Sequence, residues 1–292
     1  MTDPLAAIES WVEAGLAMTA RESWVTHEGV RLRVREWGTP GRPGLLFVHG
    51  STAHGRWWDH IAPRLAAGRH VIAMDLSGHG DSSWRPHGYR IADWAREVVA
   101  VARGASSAGP PVVVGHSMGA AVVIRAALEP DFRLSGLILL DGALRSPRET
   151  DLARRRRRAE RVPPAFPSRG SVVDGFRTLP PDGSERHLPV LVRHIAENSV
   201  RRTDDGWRWK LDRQIFLRDW LSLDDIRPVD VPALVVAAEH GMLSEERAAA
   251  IARRLGGTAR TVTLPSAGHH LMLDQPAALT ACLATVLAIW SA

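Results

Sequence analysis

The chain has one cysteine, one tyrosine and one lysine among its 292 residues. Cys282 cannot form an intramolecular disulfide alone, and its Ala/Leu-rich surroundings indicate a buried apolar side chain. No apolar run reaches the roughly 18 residues that a membrane-spanning helix needs. The first twenty residues carry three acidic residues and no basic one, unlike a secretory signal. We therefore predict a cytoplasmic protein without a membrane partner.

Positive charge is abundant but unevenly distributed. The net charge is +5 at pH 7, and Lys210 is the only lysine among 37 basic residues. A basic balance can indicate a nucleic-acid partner. Here the charge is concentrated in a few places, above all the arginines at 154–158, and no zinc-finger or RNP-like motif accompanies it. We predict no nucleic-acid partner. Five consecutive residues cannot share one helix face, so we interpret the arginine run as a solvated helix.

Short apolar runs recur along the chain and alternate with helical patterns. The runs are nearly continuous, as in strands that are buried on both faces of a parallel sheet; they occupy 45–49, 71–75, 112–115, 137–141, 234–238 and 261–264. Helical periodicity occurs at 57–66, 91–103, 118–128 and 245–255. A helix over 4–18 and a hairpin over 24–37 precede them. This alternation predicts a doubly wound α/β fold.

One long stretch interrupts the alternation. Residues 144–228 separate two predicted strands by more than eighty residues, and a gap of that length is usually an inserted functional element. We predict a mainly helical cap over 144–228. Residues 1–143 and 229–292 then form the core.

The sharpest motif is Gly115-His116-Ser117-Met118-Gly119, between an apolar strand and an apolar helix. A serine on such a tight turn needs neighbours without side chains two positions away on each side. The following helix N-terminus favours a developing anion. The pattern predicts that Ser117 is a nucleophile.

Serine needs a base to remove its proton, and an oxyanion needs preorganised N–H donors. The predicted base is His269, which follows Gly268 in a loop after the last strand; this Gly-His pair favours it over His270. The predicted oxyanion donors are the backbone N–H groups of Met118 and Ser51.

The blocks 46–50, 75–82, 115–119 and 268–269 occur in an order that resembles the α/β-hydrolase superfamily. They cover the core but not the cap. The resemblance implies the α/β-hydrolase fold, with a mostly parallel central sheet flanked by helices. It also implies that 75–82 is a structural loop.

The chain departs from the family pattern at the triad acid. The resemblance places that acid at Gly241, which has no carboxylate, although the histidine needs a partner that orients it. Asp141 ends the strand after the nucleophile helix, where some relatives place their acid. Glu239 lies two residues before the usual position. We favour Asp141 and keep Glu239 as the alternative.

Tryptophans near the oxyanion loop and in the cap predict an apolar, aromatic-lined pocket for a small molecule. The predicted substrate-contacting residues are His49, Trp57, Trp58, His116, Trp207 and Trp220. The chain has no H-E-x-x-H or cysteine ligand set and no G-x-G-x-x-G or Walker loop. We therefore predict neither a metal nor a cofactor.

Together these features predict a serine hydrolase that cleaves a carboxylic ester or lactone of a hydrophobic small molecule through an acyl-enzyme. Alternatives on the same fold are C–C bond hydrolysis, perhydrolysis, acyl transfer, lyase chemistry, or a ligand receptor with a vestigial triad. The glycine at 241 is the motive for the receptor hypothesis. We expect a monomer or a homodimer.

Overall fold

The computed structural model describes residues 4–105, 108–142, 144, 149–178 and 187–291. The strands, numbered in chain order, are β1 (Arg21–His27), β2 (Val30–Gly38), β3 (Gly44–Val48), β4 (His70–Met74), β5 (Val112–His116), β6 (Gly136–Leu140), β7 (Val200–Thr203), β8 (Gly206–Trp209), β9 (Ala233–His240) and β10 (Arg260–Gly268). The helices are α1 (Pro4–Leu16), α2 (Ile91–Ala105), α3 (Met118–Ala127), α4 (Glu149–Glu160), α5 (Arg169–Asp174), α6 (Pro189–Asn198), α7 (Glu245–Leu255), α8 (Leu271–Asp274) and α9 (Pro276–Trp290). Within the described ranges, no helix is long and apolar enough to cross a membrane.

Eight strands form one sheet in the order β1-β2-β4-β3-β5-β6-β9-β10. β2 is antiparallel to β1 and to β4, and every other neighbouring pair is parallel. Every residue of β3, β4, β5 and β6 is buried, which explains why their sequences are continuous apolar runs. The predicted mostly parallel sheet flanked by helices is confirmed.

Two apolar layers cover the sheet. Successive strand residues point to opposite faces: Leu46 and Val48 pack with α2, α3 and α7, whereas Leu45 and Phe47 pack with α1 and α9. The parallel strands β3, β5 and β6 end at the same edge of this sandwich. Polar residues that directly follow these strands are thereby brought together, as is usual for sites in α/β sheets.

The α-helix predicted over 57–66 is wrong. The structure has two short 3-10 helices there, Gly55–Trp58 and Ala62–Leu65. Pro63 has no N–H and cannot extend an α-helical hydrogen-bond pattern through this segment.

The long insertion lies between β6 and β9. Its described residues form α4, α5 and α6 and the 3-10 helices Arg213–Leu217 and Leu223–Asp225. They also form an antiparallel hairpin of β7 and β8, which was not predicted. Asp204 and Asp205 connect the two strands. The pair Asp205-Gly206 is a sequence signal for a hairpin turn, and the prediction of a mainly helical cap did not use it. The predicted boundary at residue 143 falls outside the described residues.

Candidate active site

Ser117 occupies a strained turn between β5 and α3. Its backbone has φ 54° and ψ −115°, in the left-handed half of conformational space that non-glycine residues rarely adopt. The Ser117 N–H donates to the carbonyl of Leu140 at 2.9 Å, which ties the turn to the end of β6. This conformation holds the serine side chain at the wall of a cavity.

The glycines on either side of Ser117 are required by close backbone contacts. A Cβ on Gly115 would lie 2.4 Å from the carbonyl oxygen of Gly119. A Cβ on Gly119 would lie 2.6 Å from the carbonyl oxygen of Val48. Any side chain at these positions would push β3, β5 and α3 apart and move the serine.

A continuous chain of hydrogen bonds joins Ser117, His269 and Asp141. The Ser117 Oγ lies 2.9 Å from Nε2 of His269, and Nδ1 of His269 lies 2.6 Å from Oδ2 of Asp141. With a proton on Nδ1 donated to the carboxylate, Nε2 is free to accept the hydroxyl proton. Asp141 is fully buried and His269 is nearly so, which protects the chain from competing water.

Asp141 is held by backbone donors as well as by the histidine. Its Oδ2 accepts from the N–H of Met242 at 2.7 Å, and its Oδ1 accepts from Leu243 at 3.1 Å and Ala238 at 3.3 Å. Burial acts to raise the pKa of Asp141, but the hydrogen bonds from His269 and these N–H groups outweigh it and lower the pKa below its ordinary value. The carboxylate is therefore ionised and able to stabilise an imidazolium.

The structure distinguishes between the two candidate acids, Asp141 and Glu239. Glu239 accepts a hydrogen bond from the N–H of Ser266 at 2.7 Å, and its side chain is half exposed. It makes no hydrogen bond or ion pair with His269 among the described contacts. The space next to Gly241 is filled by Asp141, since a Cβ at position 241 would lie 2.5 Å from the Asp141 Oδ1. The structure thus brings Asp141, and not Glu239, to the histidine.

Both predicted oxyanion donors lie beside the nucleophile. Met118 is the first residue of α3, where an N–H has no acceptor within the helix. Ser51 follows β3 through Gly50, whose Cβ would lie only 3.1 Å from the Cβ of Ser117. Ser51 and Met118 both line the same cavity as Ser117. Their assignment as donors to an oxyanion stays a prediction.

The cavity beside the triad has a volume of about 850 Å³ and is lined by the sheet core and by the insertion between β6 and β9. Of the predicted substrate-contacting residues, Trp57 and His116 line it from the core and Trp220 lines it from the insertion. His270 also lines it, with its ring 5.3 Å from that of Trp57. This volume is typical of a small-molecule site.

Three predicted substrate contacts do not line this cavity. Trp58 is fully buried and stacks on Phe47 with ring centroids 4.7 Å apart. His49 is buried, and its Nε2 accepts from the N–H of Leu76 at 3.0 Å. Trp207 belongs to β8 and pairs through its backbone with Phe166. Trp58 and His49 therefore pack inside the protein and do not face the cavity. Neighbouring residues in a turn point in different directions, so Trp57 can line the cavity while Trp58 does not.

The interpretation of the arginine run as a solvated helix is wrong for two of its members, Arg155 and Arg158, which are partly buried and line the cavity. Arg154, Arg156 and Arg157 are exposed, as predicted, although Arg154 and Arg157 also line the cavity. α4 packs against the 3-10 helix Arg213–Leu217, so it lies across the cavity, and long guanidinium side chains reach inward from more than one side of the helix. Helical periodicity could not predict which arginines line the cavity, because that depends on where α4 packs in the folded protein.

The ring nitrogens of His116, His269 and His270 lie within 4.8 Å of one another, a group that could hold a metal ion. Their other contacts oppose this. Both ring nitrogens of His269 are engaged with Ser117 and Asp141, and Nε2 of His116 donates to the carbonyl of His269 at 2.8 Å. Burial holds the pKa of His116 well below its ordinary value, with repulsion from His269 adding to it, so His116 is neutral. A metal bound here would have to break the Ser-His-Asp chain.

This sheet order and hydrogen-bonded triad define an enzyme of the α/β-hydrolase class. A profile of the alpha/beta hydrolase family matches residues 45–281, and the chain belongs to that family. Esterase Rv0045c of Mycobacterium tuberculosis is 30% identical over 263 residues, which cover 86% of this chain and 84% of that protein. Epoxide hydrolase A of the same organism is 28% identical over 316 residues, covering 90% and 95%. These names belong to different hydrolases, so family membership leaves the substrate open.

The fold extends to solved structures of low sequence identity. The thioesterase domain of the curacin biosynthetic pathway superposes with a TM-score of 0.75 at 24% identity, over 92% of this chain and 99% of that domain. This likeness concerns the fold alone.

Proposed function

We propose that the protein is a serine hydrolase that cleaves a carboxylic ester or lactone through an acyl-enzyme. The observation that carries the proposal is the unbroken hydrogen-bond chain from Asp141 through His269 to Ser117, at the wall of a large cavity. Nucleophile, base and orienting acid stand in the order that activates a serine hydroxyl.

The reaction begins with proton transfer. Nε2 of His269 accepts the proton of Ser117 Oγ as that oxygen attacks the ester carbonyl. The negative charge that forms on the carbonyl oxygen is stabilised by the N–H groups of Ser51 and Met118. The imidazolium, stabilised by Asp141, then protonates the departing alkoxide. In the second half, His269 removes a proton from water as the water oxygen attacks the acyl carbon. The imidazolium then returns that proton to Ser117 Oγ as the bond between Oγ and the acyl carbon breaks, which releases the carboxylic acid.

The structure of the acid site removes the motive for a receptor with a vestigial triad. That hypothesis rested on the missing carboxylate at Gly241, and Asp141 supplies a carboxylate to His269 at 2.6 Å. The other reactions of the fold use the same nucleophile and base, and a substrate panel with added peroxide or an alcohol acceptor separates them from hydrolysis.

The test is pre-steady-state hydrolysis of a short p-nitrophenyl ester. We expect a burst of nitrophenolate and an acyl adduct on Ser117 by mass spectrometry. Ser117→Ala should lose kcat by a factor on the order of 10⁶, as for other triad serines. Ser10→Ala, an exposed serine of α1, serves as the control and should be unchanged. Full turnover in Ser117→Ala would overturn the proposal.

A further inference from the structure

Two aromatic side chains in the cap each hold a pair of arginines at the cavity. The guanidinium carbons of Arg155 and Arg218 lie 4.1 Å and 5.0 Å from the ring centroid of Trp220. Those of Arg158 and Arg213 lie 4.6 Å and 5.6 Å from that of Phe216. All six side chains line the cavity that contains Ser117. Trp220 and Phe216 therefore position cations at the cavity wall in addition to lining it.

The four aromatic-held arginines have no carboxylate partner within 4.0 Å among the described residues. Their hydrogen bonds go to backbone carbonyls: Arg155 donates to Arg218 at 3.4 Å, Arg218 to Ile215 at 3.3 Å, and Arg213 to Arg158. Backbone carbonyls carry no net charge, so these contacts do not neutralise the guanidinium groups. Asp151 attracts Arg155 and Asp219 attracts Arg218, but neither carboxylate forms an ion pair with these arginines within 4.0 Å among the described residues.

Arginines elsewhere in the chain show what compensation looks like. Arg35 lies 2.8 Å from a carboxylate oxygen of Asp59, and Arg85 lies 2.8 Å from one of Glu97. Both of those arginines are largely buried and both are paired. An arginine that lies over an aromatic ring without an ion pair also occurs in the core, where Arg64 lies over Trp11 and donates to its carbonyl. What distinguishes the cavity is that four such arginines line it together.

The acids that do line the cavity are few and already engaged. Among the residues that the structure describes, seven arginines line it, against the two carboxylates of Asp151 and Asp219. Asp219 accepts from the N–H of Ile91 at 2.6 Å, and Asp151 lies 3.8 Å from the exposed Arg154. The cavity therefore carries a clear excess of positive charge.

Burial makes this excess unfavourable without a ligand. Desolvation lowers the pKa of Arg218 to about 9, with repulsion from Arg155 adding to the effect. Desolvation likewise lowers the pKa of Arg155 to about 10. A bound anion would compensate both charges and form charge-assisted hydrogen bonds with planar guanidinium groups.

We propose that the substrate carries an anionic group, a carboxylate or a phosphate, that is bound by Arg155 and Arg218 while its ester carbonyl lies at Ser117. The inference deepens the proposed function and rests on it. It also replaces the expectation of an apolar substrate, because Phe216 and Trp220, which line the cavity, contact arginines. Arg158 and Arg213 would add a second, similar contact for a longer or more highly charged ligand.

The test compares substrates that differ in charge alone. The p-nitrophenyl monoester of adipic acid has a free carboxylate, and p-nitrophenyl hexanoate has a neutral chain of the same length. S-hexanoyl-4'-phosphopantetheine and S-hexanoyl-pantetheine form the matching pair for a phosphate on the leaving group. We expect at least one anionic member to have the higher kcat/KM, and the pair that shows the preference identifies the anion and its side of the scissile bond.

The variants are Arg155→Gln and Arg218→Gln, with Arg156→Gln as the matched control in the same helix. Loss of one hydrogen-bonded cation should raise KM for the preferred anionic substrate on the order of 10- to 100-fold. It should leave the neutral substrate within about twofold. Arg156→Gln should behave like the wild type on both substrates. In the wild type, added salt should raise KM for the anionic substrate more than for the neutral one.

Parallel losses on the anionic and neutral substrates, or equal effects of Arg155→Gln and Arg156→Gln, would overturn the inference. The proposed function is tested separately, by comparing neutral-ester hydrolysis in the wild type and in Ser117→Ala. Should that hydrolysis be absent, thermal stabilisation by adipate tests the anion site directly. The inference then requires stabilisation in the wild type and its loss in Arg155→Gln, and equal stabilisation of both proteins contradicts it.

Discussion

The carboxylate of Asp141 fills the space in which a side chain at Gly241 would lie. A Cβ at position 241 would be 2.5 Å from Oδ1 and 2.6 Å from Oδ2 of Asp141, closer than any stable contact. A carboxylate that meets His269 can therefore come from position 141 or from position 241, but the two positions cannot both carry a side chain in this space. Asp141 requires a glycine at 241, and the triad is complete although Gly241 has no carboxylate.

The substitution Gly241→Ala should harm both the fold and the catalytic site. The added methyl group must displace Asp141, so we expect a loss of about 1–3 kcal/mol in the free energy of unfolding, as for other overpacked sites, together with reduced kcat. Gly257→Ala is the matched control, because a Cβ there has no heavy atom within 4 Å. Chemical denaturation and ester hydrolysis measure the two effects. Equal behaviour of the two variants would argue against the shared space.

Exchange of the two residues should restore part of what a single change removes. In Asp141→Gly the acid is lost, whereas in the double variant Asp141→Gly with Gly241→Asp a carboxylate returns to the same space. We expect the double variant to exceed Asp141→Gly in kcat by at least about tenfold, since the two sites interact directly. If the double variant is no better than the single one, a carboxylate at 241 does not reach His269.

Gly119→Ala should displace the nucleophile. Its Cβ would meet the carbonyl oxygens of Val48 and His49 at 2.6 Å and 2.7 Å, so α3 must move away from β3. A shift of about 1 Å at a reacting atom can lower the rate by about 100-fold, and we expect kcat to fall by at least that factor. Circular dichroism measures the fraction of the variant that is folded and so distinguishes a slower reaction from a loss of folded protein. A fall in activity that only matches the loss of folded protein would contradict the steric account.

The pH dependence of kcat/KM should contain no contribution from Asp141 above about pH 4. Hydrogen bonds hold the pKa of Asp141 below its ordinary 3.8, so its carboxylate stays ionised as the pH falls toward that value. We therefore expect no second protonation in the acid limb of log kcat/KM for a neutral ester. A slope approaching two above about pH 4 would show that Asp141 takes up a proton there.

The pKa of Asp75 is shifted in the direction opposite to that of Asp141, and stability measurements can detect this shift. Burial raises the pKa of Asp75 to about 6 from its ordinary 3.8. Between these two values the folded protein retains a proton that the unfolded chain releases, so this group lowers stability as the pH rises through that window. It does not line the cavity, and we expect its titration to appear in thermal stability and not in kcat/KM.

Local patterns predicted the parts of the molecule that are encoded locally. The parallel strands appear as continuous apolar runs because both faces of each are buried, and Ser117 is marked by glycines that the turn requires. Asp141 could be proposed because a residue that ends a central strand must emerge at the same edge as Ser117. The direction of individual side chains could not be predicted in this way. Trp58 turns into the core although Trp57 lines the cavity.

The insertion between β6 and β9 depends most on tertiary packing. The arginines of α4 are spread around the helix, and periodicity alone assigns them to solvent. Arg155 and Arg158 are partly buried at the cavity because α4 packs on the segment that carries Phe216, whose ring contacts Arg158 and Arg213. The later arginines and their aromatic partners are more than fifty residues further along the chain than α4. No local pattern links segments so far apart.

The acid that orients His269 is Asp141, and kcat values of Asp141→Asn and Glu239→Gln compared side by side test this assignment. Both substitutions remove one negative charge and preserve side-chain shape. Asp141→Asn should lower kcat for ester hydrolysis on the order of 10⁴-fold, because the amide cannot stabilise the correct tautomer or the imidazolium. Glu239→Gln should change kcat by less than about threefold, since the described polar contacts of Glu239 are with the Ser266 N–H and with His240, and not with His269. The reverse pattern, with the large loss in Glu239→Gln, would contradict the account.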